Sequence, residues 1–297
     1  MKMTEPPIAT RQNDDACQRL LAAQSVLYTR AKKLRRWRLV AVTSSAFLVA
    51  VATLAVGAAT APIGVAGGLL VLFASIVQGK REGALVERAV AIQEKFDTQV
   101  FNLKWNEFAV PNQPTGHEVQ EEAAKYRGRP TEDWYPDTET VTRPLDVLIC
   151  QQANLGWGTS SHRRWARTLS ATAGALVLAI TTAWWVLDLA LLPALNALVV
   201  PFAPVLYELL DATQKHRNST DDKETANRQL VNLWRAGLTR PVADQRVRDV
   251  QDCIVNLRRR NAQVPDWFDG HFRPSSERAM RGAARDLISE ARQHGKA

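Results

Sequence analysis

Residues 39–77 read LVAVTSSAFLVAVATLAVGAATAPIGVAGGLLVLFASIV, and these 39 consecutive residues contain no Asp, Glu, Lys, Arg or His. A helix that crosses the hydrocarbon core of a bilayer needs about 20 apolar residues. The stretch is therefore about long enough for two crossings. Near its middle, residues 57–62 carry Gly57, which suits a turn, and Pro62, which suits the first turn of a following helix. The pattern predicts a transmembrane helical hairpin.

A second apolar stretch, residues 168–207, repeats this plan, because Asp188 is its only charged residue. Two hairpins predict four spans, and the fold class is therefore an all-α membrane protein with mainly helical cytoplasmic segments. The chain is predicted to begin with a cytoplasmic amphipathic helix, residues 1–38, followed by hairpin 1, residues 39–78. A cytoplasmic middle segment, residues 79–167, is the candidate sensor. Hairpin 2, residues 168–210, and a cytoplasmic C-terminal helical segment, residues 211–297, complete the chain.

Basic residues flank both hairpins on one side only. They lie at 32–38, 80–81, 163–167 and 215–217, whereas the two predicted outer turns, 57–62 and 184–193, contain no Lys or Arg. Loops rich in Lys and Arg stay in the cytoplasm. Both termini are therefore predicted to be cytoplasmic. The net charge of +8 is assigned to topology and to contact with anionic lipid, and we expect no nucleic-acid partner.

Outside the hairpins, helical spacing of apolar residues predicts further helices. The first begins at Asp14 and Asp15 and runs into span one, after a disordered lead over residues 1–10. Others are predicted over 117–126, 145–156, 220–238, 243–263 and 275–293, and Pro265-Asp-Trp-Phe and Arg273-Pro274 are expected to separate the last two. The arginine strings 258–260 and 278/281/285 are interpreted as solvated helix faces in preference to an acidic-ligand site.

The sequence contains none of the catalytic motifs that carry a recognisable mechanism. It has no HExxH, CxxC, GxSxG or Walker-type phosphate loop, and its five histidines show no metal-ligand spacing. Three distant cysteines fit a reduced compartment rather than a disulfide framework. We therefore expect a protein that is not an enzyme and that needs no metal or resident cofactor.

Aromatic, amide and arginine side chains are concentrated in the middle segment. Aromatic rings stack on planar ligands and arginines neutralise phosphate, so this combination suits a nucleotide. An equally supported alternative is that the tryptophans pack the segment onto the membrane surface. In the spans, Asn196 is a candidate pore-lining residue or a hydrogen-bonding contact between helices. The candidate ligand-binding residues are Trp105, Asn106, Trp134, Tyr135, Gln151, Asn154, Arg163 and Arg164.

Four strings around the two hairpins resemble the SMODS-associated four-transmembrane effector family. They are FDTQVFNLKWNEF (96–108), DWYPD (133–137), ICQQANLGW (149–157) and VPDWF (264–268), in this order. The resemblance covers nearly the whole chain. Each string is weak alone, and their combination is specific.

This resemblance implies a pore-forming effector of bacterial anti-phage defence in the inner membrane. In that scheme a cognate nucleotidyltransferase makes a cyclic di- or oligonucleotide, which binds the effector as its activating ligand. The membrane is then breached and the infected cell dies. Because four short spans are too few to enclose an aqueous channel, we expect a homo-oligomer. The alternative function is a membrane scaffold without a pore, which recruits a cytoplasmic partner protein.

Overall fold

The computed structural model describes residues 6–56, 61–138 and 140–297, and every regular element in these ranges is a helix. Three helical stretches are long and apolar enough to cross a membrane: Asp15–Val56, Leu145–Val186 and Leu191–Thr239. In chain order the helices are α1 (Ile8–Arg11), α2 (Asp15–Val56), α3 (Ala61–Phe101), α4 (Gly116–Ala123), α5 (Leu145–Gly156), α6 (Thr159–Val186), α7 (Leu191–Ala194), α8 (Val200–Thr239), α9 (Asp244–Arg260) and α10 (Asp266–Gln293).

The first predicted hairpin corresponds to α2 and the first half of α3. Residues 57–60, which hold most of its predicted turn, lie outside the described part of the chain, and so do the side chains at 61–72. Three apolar stretches are thus established, and the count of four spans stays a prediction. Orientation in the membrane likewise stays a prediction.

The chain divides into two compact units, and each unit is discontinuous in sequence. Unit 1 comprises Met1–Thr29, Leu85–His162 and Asn218–Ala297, and unit 2 comprises Arg30–Ala84 and Arg163–Arg217. Four helices, α2, α3, α6 and α8, contain residues of both units without a break in the helix. The N-terminal, middle and C-terminal segments therefore build one body together.

Unit 2 is formed by parts of these four helices together with α7 and the turn that joins α7 to α8. Phe47 of α2 meets Phe202 of α8 edge to face at a centroid distance of 5.0 Å, and Ala46 and Ala50 pack at the same place. Many large apolar side chains of this unit point outward, among them Leu48, Leu178 and Trp185. Such a surface is unfavourable in water and suits contact with lipid chains.

The entry to α8 is irregular, as its prolines predict. A π-helical turn, Leu195–Val199, joins α7 to α8 and contains the exposed Asn196. Pro201 has no backbone N–H to donate to the carbonyl of Ala197, which favours the wider turn. Pro204 lies inside α8, which nevertheless continues to Thr239.

The core of unit 1 surrounds α5. Val147, Leu148, Ile149 and Cys150 are consecutive residues of this helix and all are fully buried, whereas a surface helix buries only one apolar stripe. α5 lies against α9 and α10. The segments before and after the hairpins therefore enclose α5 from several sides.

The N-terminal lead differs from its prediction in the described part. Residues 8–11 form the single turn of α1, and Ile8 is 1% exposed, so it belongs to the core of unit 1. The prediction of a disordered lead over residues 1–10 is wrong from residue 6 onward, because one isoleucine anchors the turn. Residues 1–5 lie outside the described ranges.

Two boundaries in the C-terminal segment also differ from their predictions. The predicted helix 220–238 is the end of α8, which runs unbroken from Val200. Pro274 was expected to precede the last helix, but it lies inside α10, which begins after Pro265. A proline removes one helical hydrogen bond, and buried residues on both sides of it, Phe268 and Ile288, hold the helix in place.

Replacement of Ile8 by alanine tests the role of α1. We expect Ile8→Ala to lower the free energy of unfolding by about 2–5 kcal/mol, because it opens a cavity in the core. The measurement is denaturant unfolding of the detergent-solubilised chain followed by tryptophan fluorescence. Thr10→Ala, at an exposed position of the same turn, is the control and should change stability by no more than about 0.5 kcal/mol. Equal stability of the two variants would contradict the assignment of Ile8 to the core.

Candidate ligand-binding cavity

Unit 1 contains a cavity of about 320 Å³. This volume lies within the range of small-molecule sites. Its wall is built by α2, α3, α5, α8, α9, α10 and the loop 131–135. The polar and aromatic lining residues are Tyr28, Gln93, Trp134, Tyr135, Asn154, Trp157, Lys223, Arg258, Asn261, Gln263, Arg273 and Arg281, together with Glu132, Asp133 and Glu277.

The loop that carries Trp134 and Tyr135 is held by amide side chains from the start of the chain. Gln12 bonds both the N–H and the C=O of Tyr135, at 2.7 and 3.2 Å. Asn13 and Gln18 accept in the same way from the N–H groups of Asp133 and Thr131. Amides can satisfy a donor and an acceptor at once, so they position a loop that has no regular backbone ladder.

Two aromatic rings offer stacking surfaces at the cavity. Trp134 meets Phe96 edge to face at a centroid distance of 6.4 Å, which fixes the plane of its ring. Trp157 follows α5, and the Arg273 guanidinium lies 5.8 Å from the centre of its ring. Gly158 comes next with a φ of +75°, a conformation that glycine adopts without strain.

Charged groups of both signs line the cavity, and Arg258 is the one that is buried. Lys223 and Glu277 are half-buried, whereas Glu132, Asp133, Arg273 and Arg281 are exposed. Lys223 donates to the carbonyl oxygen of Trp157 at 2.9 Å. Burial, and next the charge of Arg258, lower the pKa of Lys223 to about 8. An anionic ligand beside Lys223 would stabilise the ammonium and raise its pKa again, so this part of the wall favours an anion.

Behind the cavity, a single carboxylate, Asp97 of α3, accepts three short hydrogen bonds. Tyr135 Oη donates to its Oδ1 at 2.6 Å. Gln251 Nε2 and Arg258 Nη1 donate to its Oδ2 at 2.8 and 2.6 Å. Burial, and next the charge of Asp97, raise the pKa of the Tyr135 hydroxyl well above its usual value, so this hydroxyl remains a donor. Asp97 thus fixes one aromatic and one cationic residue of the cavity wall.

A second buried carboxylate extends this polar layer. Glu94 accepts from Arg248 at 2.6 Å and from Gln251 at 2.7 Å. Burial, and next the charge of Asp97, raise the pKa of Glu94 to about 7. Gln151 donates to Gln251 at 3.2 Å and to the Val247 carbonyl at 3.0 Å. The layer therefore ties α3, α5 and α9 to one another.

The structure brings together three of the eight residues predicted to bind ligand. Trp134, Tyr135 and Asn154 line the cavity, and Asn154 donates to Tyr135 Oη at 2.9 Å. Gln151 is fully buried in the polar layer behind it. Ligand contact by these residues stays a prediction.

The remaining predicted residues have other surroundings. Trp105 donates to the carbonyl of Val110 at 3.0 Å, and Asn106 donates to Asp252 at 2.7 Å; neither residue lines the cavity. Arg163 and Arg164 belong to unit 2 and are exposed there. Asn196, the candidate pore-lining residue, lies in the π-helical turn of unit 2.

The cationic half of the cavity was missed, because it comes from the C-terminal segment. The interpretation of 258–260 as a solvated face is wrong for Arg258, which is 8% exposed. A signal was available: Val247, Gln251, Ile254 and Arg258 recur at spacings of four, three and four, so they share one face of α9. Apolar residues at two of these positions indicated that the other two are buried as well.

The described residues contain no group of three or more His, Cys, Asp or Glu side chains that could hold a metal ion. A larger hollow, of about 650 Å³, lies along α6 and α8 in unit 2. Its wall combines Val177, Leu206 and Leu210 with Asp211, Gln214 and Arg217. The cavity of unit 1 is the better candidate for a planar ligand, because Trp134, Tyr135 and Trp157 line it.

Comparison with known proteins points to one family. The profile that describes the SMODS-associating 4TM effector domain matches residues 6–287 of the chain. A protein of Bacillus cereus (strain VD146), described as a "probable CBASS effector molecule", is 24% identical over 208 residues. The alignment covers 69% of this chain and 70% of that protein. No solved structure matches the chain.

Removal of the Asp97 carboxylate tests the polar layer. We expect Asp97→Ala to lower the free energy of unfolding by about 3–5 kcal/mol, because Arg258 would remain as a buried charge without its partner. Glu87→Ala is the control on the same helix: Glu87 pairs with Arg259 at 2.9 Å but is 56% exposed, and its loss should cost no more than about 1 kcal/mol. Denaturant unfolding of the solubilised chain provides the measurement. Similar losses in the two variants would contradict the assigned role of Asp97.

Proposed function

Because the chain belongs to the SMODS-associating 4TM effector family, we propose that it is an effector of anti-phage defence that breaches the bacterial inner membrane. In this proposal a cyclic di- or oligonucleotide made by a cognate nucleotidyltransferase binds unit 1 as the activating signal. The chain catalyses no reaction of its own. The infected cell dies before the phage can spread.

The cavity of unit 1 carries this proposal, because its chemistry suits a nucleotide. A base needs a flat apolar surface, which Trp134 and Trp157 supply. A phosphate needs charge-assisted donors, which Lys223 and Arg258 supply. A volume of about 320 Å³ is at the lower end of the range of small-molecule sites, so the cavity holds part of a cyclic dinucleotide. A larger cyclic oligonucleotide would extend past the rim toward Arg273 and Arg281.

Ligand binding in unit 1 would act on unit 2 through helices that continue from one unit into the other. Tyr28 of α2, Gln93 of α3 and Lys223 of α8 all line the cavity, and each of these helices continues into unit 2. Tyr28 Oη donates to Gln93 Oε1 at 3.2 Å, which links the first two helices. A ligand shifts such a system only if it binds one arrangement of the helices more tightly than the other.

In the membrane, the proposed active form is a homo-oligomer of four-span subunits with both termini in the cytoplasm. The outward apolar side chains of unit 2 would contact lipid or neighbouring subunits. Asn196 would line the pore, because a polar side chain within a span is costly unless it faces water or a partner. The π-helical turn around Asn196 is the least regular part of its span.

Dye release from liposomes tests the proposal. The purified full chain is reconstituted in vesicles of phosphatidylethanolamine and phosphatidylglycerol, and cyclic di-AMP, cyclic di-GMP, cyclic UMP-AMP and cyclic tri-AMP are added. We expect release with at least one nucleotide and at least a tenfold weaker response in Trp134→Ala, which loses about 1–3 kcal/mol of base stacking. Trp267→Ala is the control: this exposed tryptophan does not line the cavity.

Intact vesicles across the whole panel, with the chain folded and inserted, would overturn the proposed pore. A nucleotide that binds without release would favour the alternative function, a scaffold that recruits a cytoplasmic partner. Equal release by Trp134→Ala and the unaltered chain would remove the cavity as the binding site.

The pKa of Lys223 predicts how affinity depends on pH. Below pH 8 the ammonium is charged before and after binding, so affinity is constant. Above pH 8 the free lysine is mainly neutral. A bound phosphate would raise its pKa again, because an opposite charge favours the ammonium. Binding then takes up a proton, and affinity falls by up to about tenfold per pH unit.

Calorimetry at pH 7, 8 and 9, with whichever nucleotide of the panel binds, measures this dependence. Lys223→Met should lose it, whereas the exposed control Lys80→Met should keep it. The same slope in Lys223→Met and in the unaltered chain would show that another group titrates.

A further inference from the structure

Two polar atoms at the cavity wall are buried without a hydrogen-bond partner. They are Nη2 of Arg258 and Oδ1 of Asn261, a donor and an acceptor. Both residues line the cavity. A buried polar group without a partner is costly, so these two atoms are candidates for bonds to a bound molecule.

Arg258 is held in place by its other nitrogen. Nη1 donates to Asp97 at 2.6 Å, and the side chain is 9% exposed. The guanidinium is planar, so a fixed Nη1 also fixes the direction in which the N–H groups of Nη2 point. An oxygen of a phosphate is the acceptor that gives such a donor its strongest bond.

Asn261 lies three residues beyond Arg258, at the end of α9. Its backbone is extended, with φ −68° and ψ 120°, so the chain leaves the helix at this residue. An uncharged amide oxygen accepts a hydrogen bond from an N–H group but has no charge with which to attract an anion. The phosphodiester of a cyclic nucleotide has acceptor oxygens only at neutral pH, so it leaves this acceptor unsatisfied. The edge of a nucleobase carries N–H donors that would satisfy it.

We infer that Arg258 and Asn261 form a two-part recognition pair: Arg258 binds a phosphate oxygen of the nucleotide, and Asn261 accepts a hydrogen bond from the edge of its base. This inference rests on the proposed function and assigns the discrimination between bases to Asn261. Arg258 contributes affinity without discrimination, because every nucleotide carries the same phosphate. Trp134 and Trp157 likewise favour any base, since every base has a stacking face.

The test measures dissociation constants for cyclic di-AMP, cyclic di-GMP and cyclic di-UMP, using the full chain in detergent. Asn261→Leu has a similar volume and cannot accept a hydrogen bond. We expect it to weaken the preferred nucleotide at least about tenfold, and the ratio between preferred and least preferred nucleotides to shrink toward one. Asn256→Leu is the control, because Asn256 is exposed on the same helix and does not line the cavity. A merely structural role of Asn261 would lower all three affinities and keep their ratio.

The role of Arg258 has to be tested with a variant that still folds. Replacement of Arg258 alone would leave the buried carboxylate of Asp97 without its opposite charge. The double variant Asp97→Asn with Arg258→Gln removes both buried charges together. We expect it to weaken all three nucleotides at least about tenfold and to leave their ratio unchanged. Thermal unfolding of the same samples confirms that this variant is folded.

The outcomes separate this inference from the proposed function. If the unaltered chain binds no nucleotide, the proposed function fails, and the inference fails with it. If nucleotides bind but Asn261→Leu keeps the same ratio, the recognition pair is wrong and the proposed function stands. Full affinity in the double variant would overturn the assignment of Arg258.

Discussion

The carboxylate of Asp97 is the constraint on which the rest of unit 1 depends. Transfer of a carboxylate from water to a protein interior costs several kcal/mol, which only well-placed hydrogen bonds and an opposite charge offset. Its donors come from separate parts of the chain: Tyr135 from the middle segment, and Gln251 and Arg258 from the C-terminal segment. The hydrogen bonds of Asp97 therefore form only when α3 packs against the loop that carries Tyr135 and against α9. The same hydrogen bonds stabilise unit 1 and position residues of the cavity wall.

How far the sequence could predict this fold depends on the range of the interactions involved. The bounds of α5 and the continuity of α2 follow from local hydrophobic pattern, and both were predicted correctly. The start of α4 has a capping box, Thr115 with Glu118, whose signature in the sequence was overlooked. Pro274 shows the opposite case: a strong local breaker is overridden by packing on either side. Local signals fail where tertiary contacts decide.

The candidate site could be predicted only in its aromatic half. Trp134, Tyr135 and Asn154 stand close together in one segment, and their side-chain chemistry alone suggests a planar ligand. Lys223 and Arg258 lie far along the chain, and no local pattern indicates that they reach the same cavity. Arg258 also sits in a run of arginines, which is typical of a solvated surface, and only its helical register sets it apart. Trp105 and Asn106 have side chains that suit a nucleotide, but they donate their hydrogen bonds to Val110 and Asp252 instead.

The discontinuity of unit 1 has a consequence for the order of events during synthesis. Lys223, Arg258 and Asn261 all lie downstream of both apolar stretches, so the ribosome makes them after those stretches have emerged. A nascent chain that ends with the middle segment has Tyr28, Trp134 and Tyr135 of the cavity lining but lacks Lys223 and Arg258. In the proposed function such a chain could not yet bind its signal molecule. The proposed site is therefore complete only after every helix that would convey the response has been translated.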